Sequence, residues 1–169
     1  MPEKVLILHR FPKSQMARLG ETYVLLDAAG KKPVDVFSAD ELGSVRAVLA
    51  AGGQKLGGDV MDMLPNLGAI VCYGTGFDGV DLKAAAARNI AVGNSPGANA
   101  ASVADMALAL TLSSVRRILV ADGFIRDGSW AASKPSPLMR PQRGMGGRKV
   151  GIYGMGEIGR RIASRVAAF

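Results

Sequence analysis

Three glycines near the end of the sequence, Gly154, Gly156 and Gly159, stand in the spacing G-x-G-x-x-G within KVGIYGMGEIGRRIASRVAAF (149–169). An apolar stretch precedes them and a helical one follows, a context that suits a dinucleotide pyrophosphate. The first glycine lets the chain turn tightly, the second lets backbone approach a phosphate, and the third lets helix pack on strand. Across Gly154, Met155, Gly156, Glu157, Ile158 and Gly159, the free N–H groups of Glu157 and Ile158 are the expected phosphate donors, helped by the helix dipole. An acidic residue for the ribose, or a basic one for a 2′-phosphate, is expected ~20 residues farther on, past Phe169. NAD and NADP therefore stay equally open.

A second glycine loop lies in CYGTGFDGVDL (72–82). It falls between a strand-like run and a helical one, at the carboxyl end of a strand, where parallel sheets collect ligands. Gly74 and Gly76 allow consecutive N–H groups to face one point, and such a nest suits a small carboxylate. Thr75 and Gly76 are the expected donors. Asp78 and Asp81 read as caps of the following helix. Cys72 reads as a small buried hydrophobe. His9, the single histidine, reads as a strand-end or pocket-edge residue.

The elements that must carry these turns alternate regularly. Apolar runs at 5–9, 23–27, 45–50, 69–74 and 90–95 predict five strands. Helical stretches separate them: PKSQMARLG, ADELG, GGDVMDMLPNLG halted near Pro65, and GVDLKAAAARN. Strand and helix in alternation predict a parallel α/β sheet with helices on both faces, flavodoxin-like in order. After the SPG turn a long helix is expected to run about twenty residues, ending before Gly123. KVGIYG is expected to resume strand character. The organisation predicted is a substrate domain over 1–99, then an interdomain helix and the first strand–helix unit of a Rossmann domain over 100–169.

Composition narrows the function classes. No apolar run reaches the ~18 residues of a membrane span, and the N-terminal run is too short for a signal peptide. One cysteine excludes an intrachain disulfide and suits a reducing, cytoplasmic setting. The net charge of +7 is uneven: residues 1–112 carry 10 Lys/Arg against 11 Asp/Glu, and residues 113–169 carry 11 against 3. The clusters Arg116/Arg117, Arg140/Arg143, Arg148/Lys149 and Arg160/Arg161/Arg165 lack interleaved aromatics, so they are read as facing acidic partners in the protein and not nucleic acid.

Taken in order, YGTGFDGVDLKAAAARNIAVGNSPGANAASVADMALALTLSSVRRI, RDGSW and GRKVGIYGMGEIGRRIA resemble the NAD(P)-dependent D-2-hydroxyacid dehydrogenases, closely from Tyr73 onward and more loosely before it. The resemblance implies an NAD(P)H-dependent reduction of a small 2-keto acid such as glyoxylate or hydroxypyruvate. It places the substrate carboxylate on Thr75–Gly76, Val103 against the nicotinamide, and the pyrophosphate on Gly154–Gly159. Ala51 and Gly52 correspond loosely to a loop bordering the substrate. The family's substrate-holding Arg and its acid/base His with a Glu or Asp come from motifs that this sequence does not contain. The expectation is thus the N-terminal half of a dehydrogenase, inactive by itself, self-associating as a homodimer or larger assembly through exposed apolar surface. The alternatives are a non-catalytic dimerising or regulatory module of the same descent, and a gene fragment without function.

Overall fold

Backbone ladders join five strands in the order β2-β1-β3-β4-β5, every pair parallel. In this computed structural model, which describes residues 2–28, 30–138 and 144–169, the strands are β1 (Lys4–Ile7), β2 (Val24–Asp27), β3 (Val45–Ala51), β4 (Ala69–Tyr73) and β5 (Ala91–Gly93). Each overlaps a run expected to be a strand, with β1 starting one residue earlier and β3 ending one residue later than expected, and the order is the flavodoxin-like one. The chain divides into two compact units, Met1–Ala98 and Asn99–Phe169.

In the first unit, α1 (Lys13–Gly20), α2 (Ala39–Gly43), α3 (Gly58–Asp62) and α4 (Leu82–Ala87) connect the strands. Period-2 alternation sends Leu6, Val48 and Ile70 into one core with Leu42 of α2, Met61 of α3 and Ala85 of α4. Val5 and Ile7 point to the opposite face and are buried there. That face is covered more thinly: α1 contributes no buried residue, and Val71 and Tyr73 stay about half exposed. Helix α2 opens with a reciprocal capping box between Ser38 and Glu41, which satisfies two of its orphan N–H groups. Asp81 caps α4, accepting from the Ala84 N–H at 2.9 Å.

The second unit departs from expectation twice. The long helix does not run unbroken to Gly123: α5 (Ala100–Arg116) ends at Arg117, and α6 (Ile118–Arg126) carries Gly123 in its interior. Arg117 is left-handed, with φ +52°, ψ +41°. That conformation costs an L-residue roughly 1 kcal/mol; the Arg117 N–H donates to the Ser113 and Ser114 carbonyls and its Nη1 to the Pro137 carbonyl at 3.0 Å. The second departure is the KVGIYG segment, which forms no strand. Strand structure needs a neighbouring ladder, and residues 149–154 pair with no strand among the described residues. The expected helix does follow, as α7 (Glu157–Val166), packed on α5. Arg165 fastens the two: its Nε donates to Asp105 Oδ1 at 2.5 Å and its Nη2 to the Ala101 carbonyl at 3.4 Å. No helix of the described residues is long and apolar enough to cross a membrane.

Candidate functional site

The Gly74–Gly76 loop leaves the carboxyl end of β4, and the carbonyls of Gly74 and Thr75 are occupied. The Ser95 N–H donates to the Gly74 carbonyl and Asn94 Nδ2 to the Thr75 carbonyl, each at 2.8 Å. In a planar trans peptide the next residue's N–H points opposite to the carbonyl. Holding both carbonyls toward the segment after β5 therefore turns the Thr75 and Gly76 N–H groups the other way. Neither of those N–H groups donates to an acceptor among the described residues. Gly74 itself has φ +103°, open to glycine at no steric cost.

Ala51 ends β3, paired with Tyr73, and Gly52 follows directly. Their carbonyls accept from the N–H groups of Gln54 and Gly79, both at 2.9 Å. A Cβ added to Gly52 would lie 1.9 Å from the Gly76 carbonyl oxygen, so the loops after β3 and β4 touch backbone to backbone. The structure thus brings together Ala51, Gly52, Gly74, Thr75 and Gly76. Gln54 adds a tie from its Nε2 to the Leu8 carbonyl at 3.1 Å, while its buried Oε1 meets no partner. Asp78 is not a cap: its Oδ2 lies 3.5 Å from where a Gly76 Cβ would stand, so its negative charge sits beside the loop. Sequence reading assigned no role to Asn94, Ser95 or Gln54. The stretch quoted from Tyr73 onward contains the first two, but their part depends on which strand lies beside β4.

His9 follows β1, exposed, its ring edge-on to Phe11 at 5.6 Å, and Phe11 meets Tyr73 at 5.1 Å. Cys72 is fully buried, and burial pushes its thiol up from the ordinary value. Apolar troughs of about 450 and 400 Å³ share Leu19, Tyr23 and Leu49 among their walls, and neither is lined by Thr75 or Gly76.

In the second unit, Gly154 takes φ +97° and Gly156 caps α7 without any side-chain hydrogen bond to the helix end. A Cβ on Gly159 would stand 2.0 Å from the Gly154 carbonyl oxygen, so the third glycine allows the turn to close on the helix. A Cβ on Gly154 or Gly156 would meet nothing within 4 Å. The first two glycines therefore face open space while the helix presents unpaired N–H groups, which fits a pyrophosphate. Glu157, Met155 and Ile158 lie in the same turn, and Val103 is on α5, about one-third exposed. The basic clusters are largely engaged within the unit. Arg160 and Arg161 pair with Glu157, Arg165 with Asp105, and Arg148 donates to the Gly144 carbonyl. Arg140 and Arg143 lie outside the described residues.

The chain is similar to known proteins over most of its length. Residues 5–159 match the profile of the family described as D-isomer specific 2-hydroxyacid dehydrogenase, catalytic domain. The glyoxylate reductase of Thermococcus litoralis is 33% identical over 172 residues, covering 100% of this chain and 52% of that protein. The structure of a 2-hydroxyacid dehydrogenase from Ketogulonicigenium vulgare superposes with a TM-score of 0.88 at 31% identity, over 99% of this chain and 52% of that one. An NADPH-dependent glyoxylate/hydroxypyruvate reductase from Sinorhizobium meliloti, solved in complex with NADP and malonate, gives a TM-score of 0.80 at 31% identity, over 99% and 51%. The chain spans about half the length of these relatives.

Proposed function

This chain belongs to the D-isomer specific 2-hydroxyacid dehydrogenase family, and we propose that it supplies two anion-holding turns of an NAD(P)H-dependent reductase for small 2-keto acids. In this reading Thr75 and Gly76 hold the substrate carboxylate through their N–H groups, with Ala51, Gly52 and Gly74 shaping the loop. The residues Gly154, Met155, Gly156, Glu157, Ile158 and Gly159 hold the cofactor pyrophosphate, and Val103 lies against the nicotinamide. The bound cofactor supplies the hydride. The observation that carries the reading is the state of the N–H groups at Thr75 and Gly76, left bare while the carbonyls of Gly74 and Thr75 are tied to Ser95 and Asn94. The small side chains around them suit a compact acid of the glyoxylate or hydroxypyruvate kind, the substrates for which the relatives are named.

Asp78 beside the loop works against an anion there, so turnover needs a cation brought to the substrate by other residues. The 169 residues alone lack the family's Arg and its acid/base pair, and we propose that by themselves they bind without turning over. Cytoplasmic residence accords with the single buried cysteine. Self-association, as a homodimer or larger assembly, accords with the exposed Met106, Leu110, Leu119, Ile125 and Trp130 of the second unit. The test is titration with malonate, NADH and NADPH, followed by amide chemical shifts. Shifts confined to Thr75–Gly76 for malonate and to Gly154–Gly159 for the dinucleotides are expected. Malonate shifts scattered over the surface would reject the carboxylate loop.

A further inference from the structure

Glu157 is an awkward residue for a phosphate site. It is the first residue of α7, so its carboxylate stands at the helix end proposed to receive a doubly charged pyrophosphate. Arg160, one turn on, answers it: its Nη2 contacts Glu157 Oε1 at 2.5 Å, and its Nη1 donates to the Met155 carbonyl at 3.1 Å. Arg161 stands 3.7 Å from the other carboxylate oxygen. One guanidinium thus grips both negatively polarised groups of the turn. Holding the Met155 carbonyl toward α7 also fixes the peptide it shares with Gly156, and the Gly156 N–H must point away from Arg160. Asn94 treats the Thr75 carbonyl in the same way, and with the same consequence for Gly76.

We propose that Arg160 is a positioning residue of the dinucleotide turn. It orients the Gly156 N–H as a phosphate donor and neutralises Glu157, so the ligand meets N–H groups and not a bare carboxylate. Both side chains are more than half exposed, so the pair adds little to folding stability; its use is at the turn. The proposal rests on the dinucleotide reading given above.

The test compares the chain with its R160Q, R160K, E157Q and E157Q/R160Q variants. Binding of NADPH is measured at low and high salt, inorganic pyrophosphate serves as a second probe, and the Gly156 amide shift is followed without ligand. R160Q is expected to weaken NADPH binding about fivefold to twentyfold, the scale of one charge-assisted contact in a solvated setting. It should move the free Gly156 amide and leave the thermal midpoint unchanged. Adding E157Q to R160Q recovers the part due to charge, and R160K recovers charge without the second prong, so both fall between. E157Q alone should bind at least as tightly as the parent. Equal affinities in parent and R160Q, with binding intact, overturn the role of Arg160 alone. Absence of binding by the parent to NADPH, NADH and pyrophosphate overturns the dinucleotide reading, and this proposal with it.

Discussion

The loop at Gly74–Gly76 grows from a strand paired on both sides, whereas the turn at Gly154–Gly159 follows a segment that pairs with no strand among the described residues. Both present bare N–H groups. The first is held from outside, by Asn94 and Ser95 beyond the neighbouring strand and by the backbone of the β3 loop. The second is held from its own helix, by Arg160 reaching back one turn and by the fit of Gly159 under Gly154. A turn built into a sheet shares the sheet's cooperativity, and a turn held by its own helix can change without unfolding its neighbours. Substitutions should therefore cost stability in the first case and binding in the second.

Gly52→Ala gives the largest expected effect. The new methyl would stand 1.9 Å from one backbone atom and 2.4 Å from another, so the two loops must separate, at about 2–3 kcal/mol of overpacking. Urea unfolding of the first unit should report it. Gly159→Ala makes a clash of the same kind, 2.0 Å from the Gly154 oxygen, yet among the described residues no sheet resists the shift. It should leave the first unit's urea midpoint unchanged and abolish dinucleotide-dependent stabilisation. Equal losses of stability from the two substitutions would break the comparison.

Asn94→Ala comes next. It frees the Thr75 carbonyl and removes one partly buried hydrogen bond, at about 1–1.5 kcal/mol. Malonate binding should fall with it, because the Gly76 N–H is no longer aimed. In the second unit, Arg165→Ala breaks the link from α7 to Asp105 and to the Ala101 carbonyl. Asp105 is well exposed, so solvent screening limits the cost to about 0.5–1 kcal/mol. Faster amide exchange along α7, with that of β1–β5 unchanged, is the expected reading.

What the sequence carries follows the same division. The five strands were readable because each is a short apolar run bounded by turn residues, and their order followed from the parallel alternation. Asp81 as a cap and Cys72 as a buried hydrophobe were readable because both roles are local. Asn94, Ser95 and Arg160 were not, since their roles lie in carbonyls whose direction only the folded backbone defines. The KVGIYG segment has a strand's pattern but meets no ladder among the described residues, and a strand is assigned by its partner as much as by its own sequence. The helix break fell at Arg117 and not at Gly123 for a related reason. Glycine is the weaker helix former, but it is Arg117 that takes the left-handed conformation, its N–H closing the end of α5 on the Ser113 and Ser114 carbonyls.

Helix N-termini make the comparison once more, and acid reads it out. Helix α2 satisfies its own end, with Ser38 and Glu41 closing on each other, whereas α7 leaves its end open to a ligand. Hydrogen bonds from the Ser38 N–H and hydroxyl hold the Glu41 carboxyl below its ordinary value. The unfolded chain thus takes up the proton more readily than the folded one. The stability this carboxylate contributes is fully present above the unfolded value, near 4.5, and is lost as pH falls through the lower folded value. Glu41→Gln should accordingly flatten the fall of stability between about pH 5 and pH 3, and Ser38→Ala should flatten it in the same window. Gly156 offers α7 no such side-chain partner, so the readout of Glu157→Gln is dinucleotide affinity. A pH slope unchanged by Glu41→Gln would mean that the box is geometry without energetic consequence.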